Sequence, residues 1–277
     1  MTEGAVAEAI VAQRCTIVLP SSGAFDSRAW RIASALASRG HGVTVLGRLE
    51  PGLAAEEAHE AGYRIVRVPV SAAAGLPGPL RWSWMRVWRG SDATLQPRPA
   101  EQSAEAGRRR GLIGRVRSAW SAVVRLVAIA LTVRSQQIAS RPVAPPADLV
   151  HAMAYMGIPI GLDLGRRDGA AVAYDARDIY VDAANVARLP GPARGLFAAV
   201  ERRWARRASR VATVNEPYAV VMEQRFGVPR PLVVMNCSYR RDVPAVPQRL
   251  FHERLGLDRA TRVVLYHGGF SRDRGIE

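Results

Sequence analysis

The sequence predicts an α/β fold in which helices cover both faces of a parallel β-sheet. Short apolar runs that end at Pro, Gly, Asn or Asp alternate along the chain with segments of helical periodicity. A strand, a loop, a helix and a second strand fit within about 35 residues near the N-terminus, and such a unit requires parallel strands. Apolar residues make up 48% of the chain and aromatic residues 6%, which is an ordinary balance for a folded α/β protein.

The first βαβ unit begins with the strand Cys15–Leu19, which Pro20 stops. A polar loop follows, and Ser27 can then cap a helix whose apolar residues recur at helical spacing. Gly40 suits the left-handed position after the last turn of that helix. The second strand of the unit is Val43–Leu46.

The same alternation continues along the chain. Strands are predicted at residues 63–70, 148–151, 171–174, 211–214 and 232–235, and helices at 196–208 and directly after Asn215. It breaks only between residues 72 and 146, where prolines border a segment rich in Arg and Trp. The sequence therefore predicts one domain over residues 1–237 that carries an insert at about 72–146.

A second domain is predicted to begin near the end of the chain. Residues 238–261 are polar and contain proline, as expected of a linker with a short helix. Residues 262–267 are predicted as a new buried strand running into Gly268 and Gly269, which is how a Rossmann-like domain begins. Residues 262–277 are therefore interpreted as the start of a domain that the chain cuts off.

The net charge of +15 favours anionic partners, and all 39 basic residues are Arg. Residues 81–134 hold eleven Arg against three acids, and four of the six Trp (Trp82, Trp84, Trp88 and Trp120). The apolar stretch 119–133 within them is shorter than the about 20 residues of a bilayer span. Two interpretations stay open: contact with an anionic membrane surface, or a core helix beside an irregular loop. No nucleic-acid-binding motif is present, and nucleic acid is not an expected partner.

The compartment is predicted from the cysteines and the N-terminus. Cys15 and Cys237 fit no metal-binding or redox spacing and both lie in apolar runs, which predicts buried, reduced thiols. Residues 1–13 lack the basic start of a signal peptide. A cytoplasmic location follows, with attachment at the inner membrane face as the alternative.

Six segments resemble, in the same order, the motifs of retaining GT-B glycosyltransferases of sequence family four. They are Arg39-Gly40-His41-Gly42-Val43-Thr44-Val45, Asp148-Leu149-Val150-His151-Ala152, Tyr174-Asp175-Ala176-Arg177-Asp178, Ala208 to Val214, Val233-Val234-Met235-Asn236 and Val263 to Glu277. Together they span most of the chain except residues 71–146. The chain departs from the family where Met153 replaces a common second His and where Arg177 replaces another His.

The resemblance implies two facing Rossmann-like domains, the first binding mainly the acceptor and the second mainly the nucleotide sugar. It implies sugar transfer with retention to a glycan or glycolipid of the cell envelope, with no metal and no cofactor besides the nucleotide-sugar co-substrate. The carboxylates that hold the donor in this family would follow residue 277. The chain alone is therefore expected to turn over slowly or not at all.

Polar residues at the carboxyl ends of the predicted strands form the acceptor-side site, because ligands of parallel sheets bind at that edge. They are Gly23, Asp26, His151, Asp175, Arg177 and Asp178. The resemblance makes His151 the catalytic contact to the transferred sugar or the acceptor, and its alternative is a structural histidine. Gly23 can open the backbone to a phosphate or only shape a turn, and Asp26 can bind acceptor hydroxyls or cap the helix.

The last three site residues of the first domain, Asp175, Arg177 and Asp178, bind acceptor or form a local ion-pair cluster. At the end of the chain, Gly268, Gly269 and Arg274 resemble the loop that holds the donor phosphates. Two other functions share this pattern: a non-catalytic sugar- or membrane-binding module, and a GT-B epimerase of nucleotide sugars.

Overall fold

The computed structural model describes residues 11–71, 112–187, 189–238, 240, 242 and 249–266. The chain divides into two compact units, Met1–Met235 and Asn236–Glu277. The larger unit contains the sheet, and the described part of the smaller unit contains one short helix.

Eight strands form the sheet, in the spatial order β3-β4-β2-β1-β5-β6-β7-β8. Their bounds are β1 Arg14–Val18, β2 Gly42–Arg48, β3 Glu56–His59, β4 Tyr63–Val68, β5 Leu149–Met153, β6 Ala171–Asp175, β7 Arg210–Thr213 and β8 Leu232–Val233. Every neighbouring pair is parallel except the edge pair β3 and β4. The strand order reverses direction at β1, with β2 on one side and β5 on the other, and in such sheets that reversal opens a crevice for ligands.

The helices of the described residues are α1 Ser27–Ala37, α2 Leu112–Ser140, α3 Ala154–Asp168, α4 Ala184–Ala187, α5 Gly191–Ala205, α6 Glu216–Met222 and α7 Leu250–Leu255. A 3₁₀ turn, Tyr180–Asp182, follows β6, and a π-helical turn, Glu223–Gly227, ends α6. As predicted, Asn215 caps α6, its side chain accepting a hydrogen bond from the Tyr218 N–H at 2.8 Å.

Two apolar cores lie on opposite faces of the sheet, which confirms the predicted α/β fold with helices on both sides. On one face α1 packs its alanines against alternate residues of β1, β2 and β4, among them Ile17, Val45 and Ile65. On the other face α2, α3, α5 and α6 cover the intervening residues, such as Val18 and Val150. The strand alternation that the sequence showed is thus the alternation between two helical layers.

One edge strand and one C-terminal segment differ from the sequence-based expectation. The edge strand β3 was not predicted, because Glu56–His59 is polar and exposed and carries no hydrophobic pattern. Residues 262–266, expected to be a buried strand, contain no strand, and Val264 is almost fully exposed. A strand forms where a neighbouring strand hydrogen-bonds to its N–H and C=O groups. Among the described residues, no strand of the sheet lies beside residues 262–266.

Helix α2 extends further than the apolar stretch that predicted it. Its C-terminal turns bury the polar residues Ser135, Gln136 and Ser140, and Gln136 Nε2 donates to the Leu19 carbonyl at 2.7 Å. The side chain of Arg48, in β2, in turn donates from Nε to Gln136 Oε1 at 3.0 Å. Among the helices of the described residues, none combines the length and apolar character that a membrane crossing requires.

The cysteine prediction is half right. Cys15 is buried in the core under α1, where burial raises the pKa of its thiol. Cys237 is exposed, because the apolar run that it follows leaves the sheet after Val233.

Helix α3 approaches the sheet through glycines spaced four residues apart. A Cβ atom added to Gly161 would lie 2.6 Å from the Ala152 Cβ, and one added to Gly157 would lie 3.1 Å from the Val18 carbonyl oxygen. Larger side chains on this face would push the helix away from β5.

We expect Gly161→Ala to lower the free energy of unfolding by about 1–3 kcal/mol, since overpacking forces a backbone shift. Gly195→Ala is the matched control, because Gly195 also lies inside a helix but has no atom within 4 Å of an added Cβ. That control should be neutral or gain up to about 1 kcal/mol in urea denaturation. Equal stability of the two variants would contradict close helix–sheet packing at Gly161.

Candidate acceptor-side site

Three polar side chains meet where β5 and β6 end at the carboxyl edge of the sheet. Asp175 is the last residue of β6 and lies beside Met153, the last residue of β5. Its Oδ2 atom is 3.1 Å from His151 Nε2 and accepts from Arg28 Nε at 2.8 Å, while Oδ1 accepts from Arg28 Nη2 at 2.9 Å. The third guanidinium nitrogen, Nη1, donates to the Val234 carbonyl at 2.6 Å.

This cluster is removed from solvent. Asp175 is fully buried and Arg28 is 4% exposed, whereas the His151 side chain keeps 15% of its surface exposed. Burial acts to raise the pKa of Asp175, but its hydrogen bonds to His151 and Arg28 and the positive charge of Arg28 outweigh burial and lower that pKa. Asp175 is therefore ionised at neutral pH and holds both neighbours in place.

The contact to Asp175 fixes the chemistry of the His151 ring. A carboxylate can only accept, so Nε2 carries the proton that is donated to Asp175. In the neutral ring Nδ1 is then an acceptor, and no described residue occupies it. His151 is thus arranged to receive a hydrogen bond from a ligand hydroxyl, or to donate one when protonated.

Arg28 was not predicted from the sequence, although a signal was available. It lies in the first turn of α1, where the helix dipole disfavours a positive charge, and that turn contains no acidic residue. A cation at such a position indicates a compensating anion elsewhere in the fold. That anion is Asp175, which is 147 residues away in the sequence.

A second ion pair lies at the start of α1. Arg177 Nη1 donates to both carboxylate oxygens of Asp26, at 2.9 and 2.8 Å. Asp26 is also the N-cap of α1 and accepts from the Ala29 N–H at 3.1 Å, so the cap is Asp26 and not Ser27 as predicted. Asp26 therefore performs the capping role that its sequence position allowed, and it joins α1 to the segment after β6.

Asp175, Arg177 and Asp178 do not pair with one another, as the local ion-pair cluster would require. Asp175 and Arg177 pair with Arg28 and Asp26, and Asp178 accepts a hydrogen bond from the next backbone N–H, that of Ile179. The two arginine–aspartate pairs each join the end of β6 to α1 or its cap, because segments that are distant in sequence meet at the carboxyl edge of a parallel sheet.

The remaining predicted residues divide between the described and undescribed parts of the chain. Gly23 has a φ of +78°, a left-handed conformation that favours glycine, and its carbonyl accepts from Trp30 Nε1 at 2.7 Å. Gly268, Gly269 and Arg274 lie outside the described residues. Their predicted contact with the donor phosphates stays a prediction.

The junction between β5 and α3 carries backbone strain at the same edge. Helix α3 begins at Ala154, directly after the last residue of β5, and Ala154 has a φ of +61°. A residue with a Cβ rarely adopts this conformation, and such strain concentrates at functional sites. The abrupt turn brings the free N–H groups of the first turn of α3 to the sheet edge that carries His151.

Behind the cluster, the residue preceding Asp175 makes a buried contact of its own. The Tyr174 hydroxyl donates to Glu201 Oε1 at 2.7 Å, and both residues are buried. Burial raises the pKa of Glu201 to about 7, against smaller opposing effects of Tyr174 and Arg225. The folded protein therefore binds this proton more tightly than the unfolded chain does.

We expect stability to fall as the pH rises from about 5 to 8, because Glu201 must ionise while buried. The pKa of Glu201 is about 7 in the folded protein, against an ordinary 4.5. This difference corresponds to a loss of about 3 kcal/mol in the free energy of unfolding, and the loss is complete once the pH exceeds the folded pKa. Glu201→Gln should be more stable than the parent at pH 8 and similar at pH 5. Thermal unfolding across pH checks this, with the exposed Glu216→Gln as the control, and parallel pH curves for Glu201→Gln and the parent would contradict it.

Metal ligation has no support within the described residues, where no three His, Cys, Asp or Glu side chains are grouped to hold an ion. Metal-independent chemistry stays a prediction.

The fold and the site together define a Rossmann-like α/β protein whose polar residues gather at the carboxyl edge of a parallel sheet. Residues 23–238 match the Glycosyl transferase 4-like domain, and the chain belongs to this family. The match covers His151, Asp175 and the Asp26–Arg177 pair, and it confirms the resemblance to glycosyltransferases over the first five of the ordered motifs. No curated protein sequence matches the chain.

Solved structures of glycosyltransferases resemble the chain at low sequence identity. Sucrose-phosphate synthase from Thermosynechococcus elongatus is 14% identical with a TM-score of 0.46, over 80% of this chain and 47% of that one. Os79 from O. sativa, in complex with UDP and deoxynivalenol-3-glucoside, is 12% identical with a TM-score of 0.38, over 78% of this chain and 51% of that one. The chain thus spans about half the length of these two proteins.

Proposed function

We propose that the protein transfers a sugar from a nucleotide sugar to a hydroxyl of a glycan or lipid acceptor, with retention at the anomeric carbon. The observation that carries this proposal is the His151–Asp175–Arg28 cluster, which lies within the matched family domain at the carboxyl edge of the sheet, where open parallel sheets bind ligands. The product is a cell-envelope polysaccharide or glycolipid, made in the cytoplasm or at the inner membrane face.

Each member of the cluster has a distinct part in this reaction. Arg28 and His151 keep Asp175 ionised, and Asp175 orients the imidazole ring. His151 contacts the transferred sugar or the acceptor hydroxyl through Nδ1. The bond from the anomeric carbon to the donor phosphate breaks, a bond to the acceptor oxygen forms, and the acceptor proton passes to the leaving phosphate.

The neighbouring residues bind the two substrates. Asp26, Arg177 and Asp178 offer carboxylate and guanidinium groups that hydrogen-bond acceptor hydroxyls. Gly23, at the left-handed turn before α1, allows the backbone N–H groups of the protein to approach a phosphate of the acceptor closely. Gly268, Gly269 and Arg274 hold the donor diphosphate, and Arg274 offsets the charge that develops as it leaves.

The experiment is a transfer assay of the complete protein with UDP-, GDP- and dTDP-sugars and a panel of glycan and polyprenyl-phosphate acceptors. Transfer of the sugar with an unchanged anomeric configuration, read by NMR of the product, is the expected result. Acceptor binding without any turnover would replace the enzyme with a binding module. Release of a free epimerised nucleotide sugar would indicate an epimerase.

A second function, peripheral membrane contact, has support from one face of α2. Trp120, Val123 and Val127 are 65%, 51% and 41% exposed and follow one another at helical spacing. An exposed stripe of Trp and aliphatic residues on an Arg-rich helix suits the headgroup region of an anionic bilayer. This contact would keep the protein near a lipid-linked acceptor.

We expect the protein to co-sediment with phosphatidylglycerol vesicles, and this binding to weaken with salt because it is partly electrostatic. Replacing Trp120 and Val123 by Ser should reduce the bound fraction at least about threefold, since the apolar insertion is lost. Leu196→Ser, which removes an equally exposed apolar side chain from α5, is the matched control. If the α2 variant sediments with the vesicles as the parent does, the proposed membrane contact is wrong.

A further inference from the structure

The loop between β1 and α1, residues 20–26, is held rigidly at the carboxyl edge of the sheet. Three successive carbonyls of the loop accept hydrogen bonds from outside it: Ser21 from the Arg48 N–H at 2.9 Å, Ser22 from Arg67 Nε at 2.9 Å and Gly23 from Trp30 Nε1 at 2.7 Å. At its other end Asp26 is fixed by the helix cap and by Arg177. Both ends of the loop are therefore immobilised around its tip.

The tip carries Phe25, whose residue surface is 95% exposed. A Phe ring offers roughly 150 Å² or more of apolar surface, which ordinarily is buried in the folded protein. Among the described residues none covers the ring, although hydrogen bonds hold the Gly23 carbonyl and the Asp26 side chain on either side of Phe25 in the chain. A rigid loop that presents an apolar ring to solvent is pre-organised for a ligand, because little conformational freedom remains to be lost on binding.

The surroundings of Phe25 narrow the kind of ligand. The next residue in the chain, Asp26, accepts hydrogen bonds from Arg177 through both carboxylate oxygens, so Phe25 directly precedes a member of an ion pair. Sugars have the complementary surface, since their C–H groups line the ring faces while their hydroxyls project from the rim. An aromatic surface next to a few oriented polar groups is a usual composition of a small-molecule site.

We propose that Phe25 is the surface on which a sugar unit of the acceptor stacks, while its hydroxyls bond to the Asp26–Arg177 pair. This inference rests on the proposed function, because it assumes that the carboxyl edge binds the acceptor. Phe25 then determines specificity for acceptors whose sugar has an uninterrupted C–H face. It touches the acceptor away from the reacting hydroxyl.

The test uses saturation-transfer NMR of the complete protein with methyl glycosides of glucose, galactose and mannose as probes. The ring protons of one face of at least one glycoside should receive saturation. In Phe25→Ala this signal should fall at least about fivefold, the loss expected from one aromatic contact, and Phe25→Trp should retain it. Both variants should melt at the parent temperature because Phe25 is exposed. The control is Phe251→Ala, which replaces another exposed Phe and should leave the saturation signal unchanged.

Several results would overturn the inference. The first is an unchanged signal in Phe25→Ala, and the second is no saturation of any methyl glycoside by the parent. The third comes from a further probe, octyl glucoside, if its alkyl chain receives saturation and its sugar does not. The last would show that Phe25 contacts lipid. The saturation signal reports binding without turnover. If the protein binds the glycosides through Phe25 but transfers no sugar, the proposed function is wrong while sugar binding at Phe25 is still supported.

Discussion

Replacing Arg28 with Met is expected to lower the free energy of unfolding by about 3–5 kcal/mol. The substitution keeps the apolar volume but leaves Asp175 fully buried with His151 as its remaining side-chain partner. It also removes the donor to the Val234 carbonyl. An uncompensated buried carboxylate is among the most destabilising changes that a single substitution can make.

Arg14→Met is the matched control, since Arg14 makes an equally short two-pronged ion pair with Asp148 at the protein surface. Solvent screens that pair, so Arg14→Met should lower the free energy of unfolding much less than Arg28→Met does. The deficit of Arg28→Met should also shrink as the pH falls. Asp175 has a lowered folded pKa, so its ion pair stabilises the protein above its ordinary pKa and is lost as the pH falls through the folded value.

Urea denaturation at pH 7 and at a pH below 3.8, the ordinary pKa of an aspartate, measures both effects. Adding Asp175→Asn to Arg28→Met should recover part of the lost stability, because the amide carries no charge to leave unpaired. If Arg28→Met proved as mild as Arg14→Met, Asp175 would not be held as a buried anion, and the geometry of the site would need another explanation.

Replacing His151 with Ala is expected to lower the turnover of the complete protein at least tenfold, equivalent to about 1.4 kcal/mol of transition-state stabilisation. The reason is the loss of the imidazole that Asp175 orients toward the reacting sugar or hydroxyl. A contact made only to the transition state lowers kcat and kcat/KM together, so both constants should fall.

The control is His41→Ala, at the opposite edge of the sheet, where His41 Nδ1 accepts from the Gln13 N–H. Its turnover should stay within about twofold of the parent. Circular dichroism and melting temperature establish that both variants are folded. Parent-like rates for His151→Ala would assign the histidine a structural role only.

The apolar strands were predictable, while elements without a hydrophobic signature were not. Val43–Leu46 is buried on both faces, and Val172 and Tyr174 are buried with Ala173 half-buried between them, so the apolar side chains alone indicate a parallel sheet. Helix α3 has glycines on the face that meets β5 and Pro159 in its interior, so its apolar pattern is weak although it packs closely. The polar end of α2 is helical because Gln136 satisfies a buried carbonyl, which no local pattern reveals.

For the site, position along a strand was informative and pairing was not. The placement of His151 and Asp175 after adjacent strands predicted that they would lie at one edge, and the structure places them 3.1 Å apart. Their partner Arg28 and the Asp26–Arg177 pair depend on contacts across more than a hundred residues, which sequence spacing does not encode. Whether these residues bind sugar stays a prediction.

A crystal structure of the complete protein with a nucleotide sugar tests the central claim most directly. The account predicts the transferred sugar within hydrogen-bond distance, about 3 Å, of His151 and at the carboxyl edge of the sheet. It also predicts that the Asp175 contacts to His151 and Arg28 persist. A sugar bound at the opposite edge, with His151 and Asp175 touching no ligand atom, would contradict it.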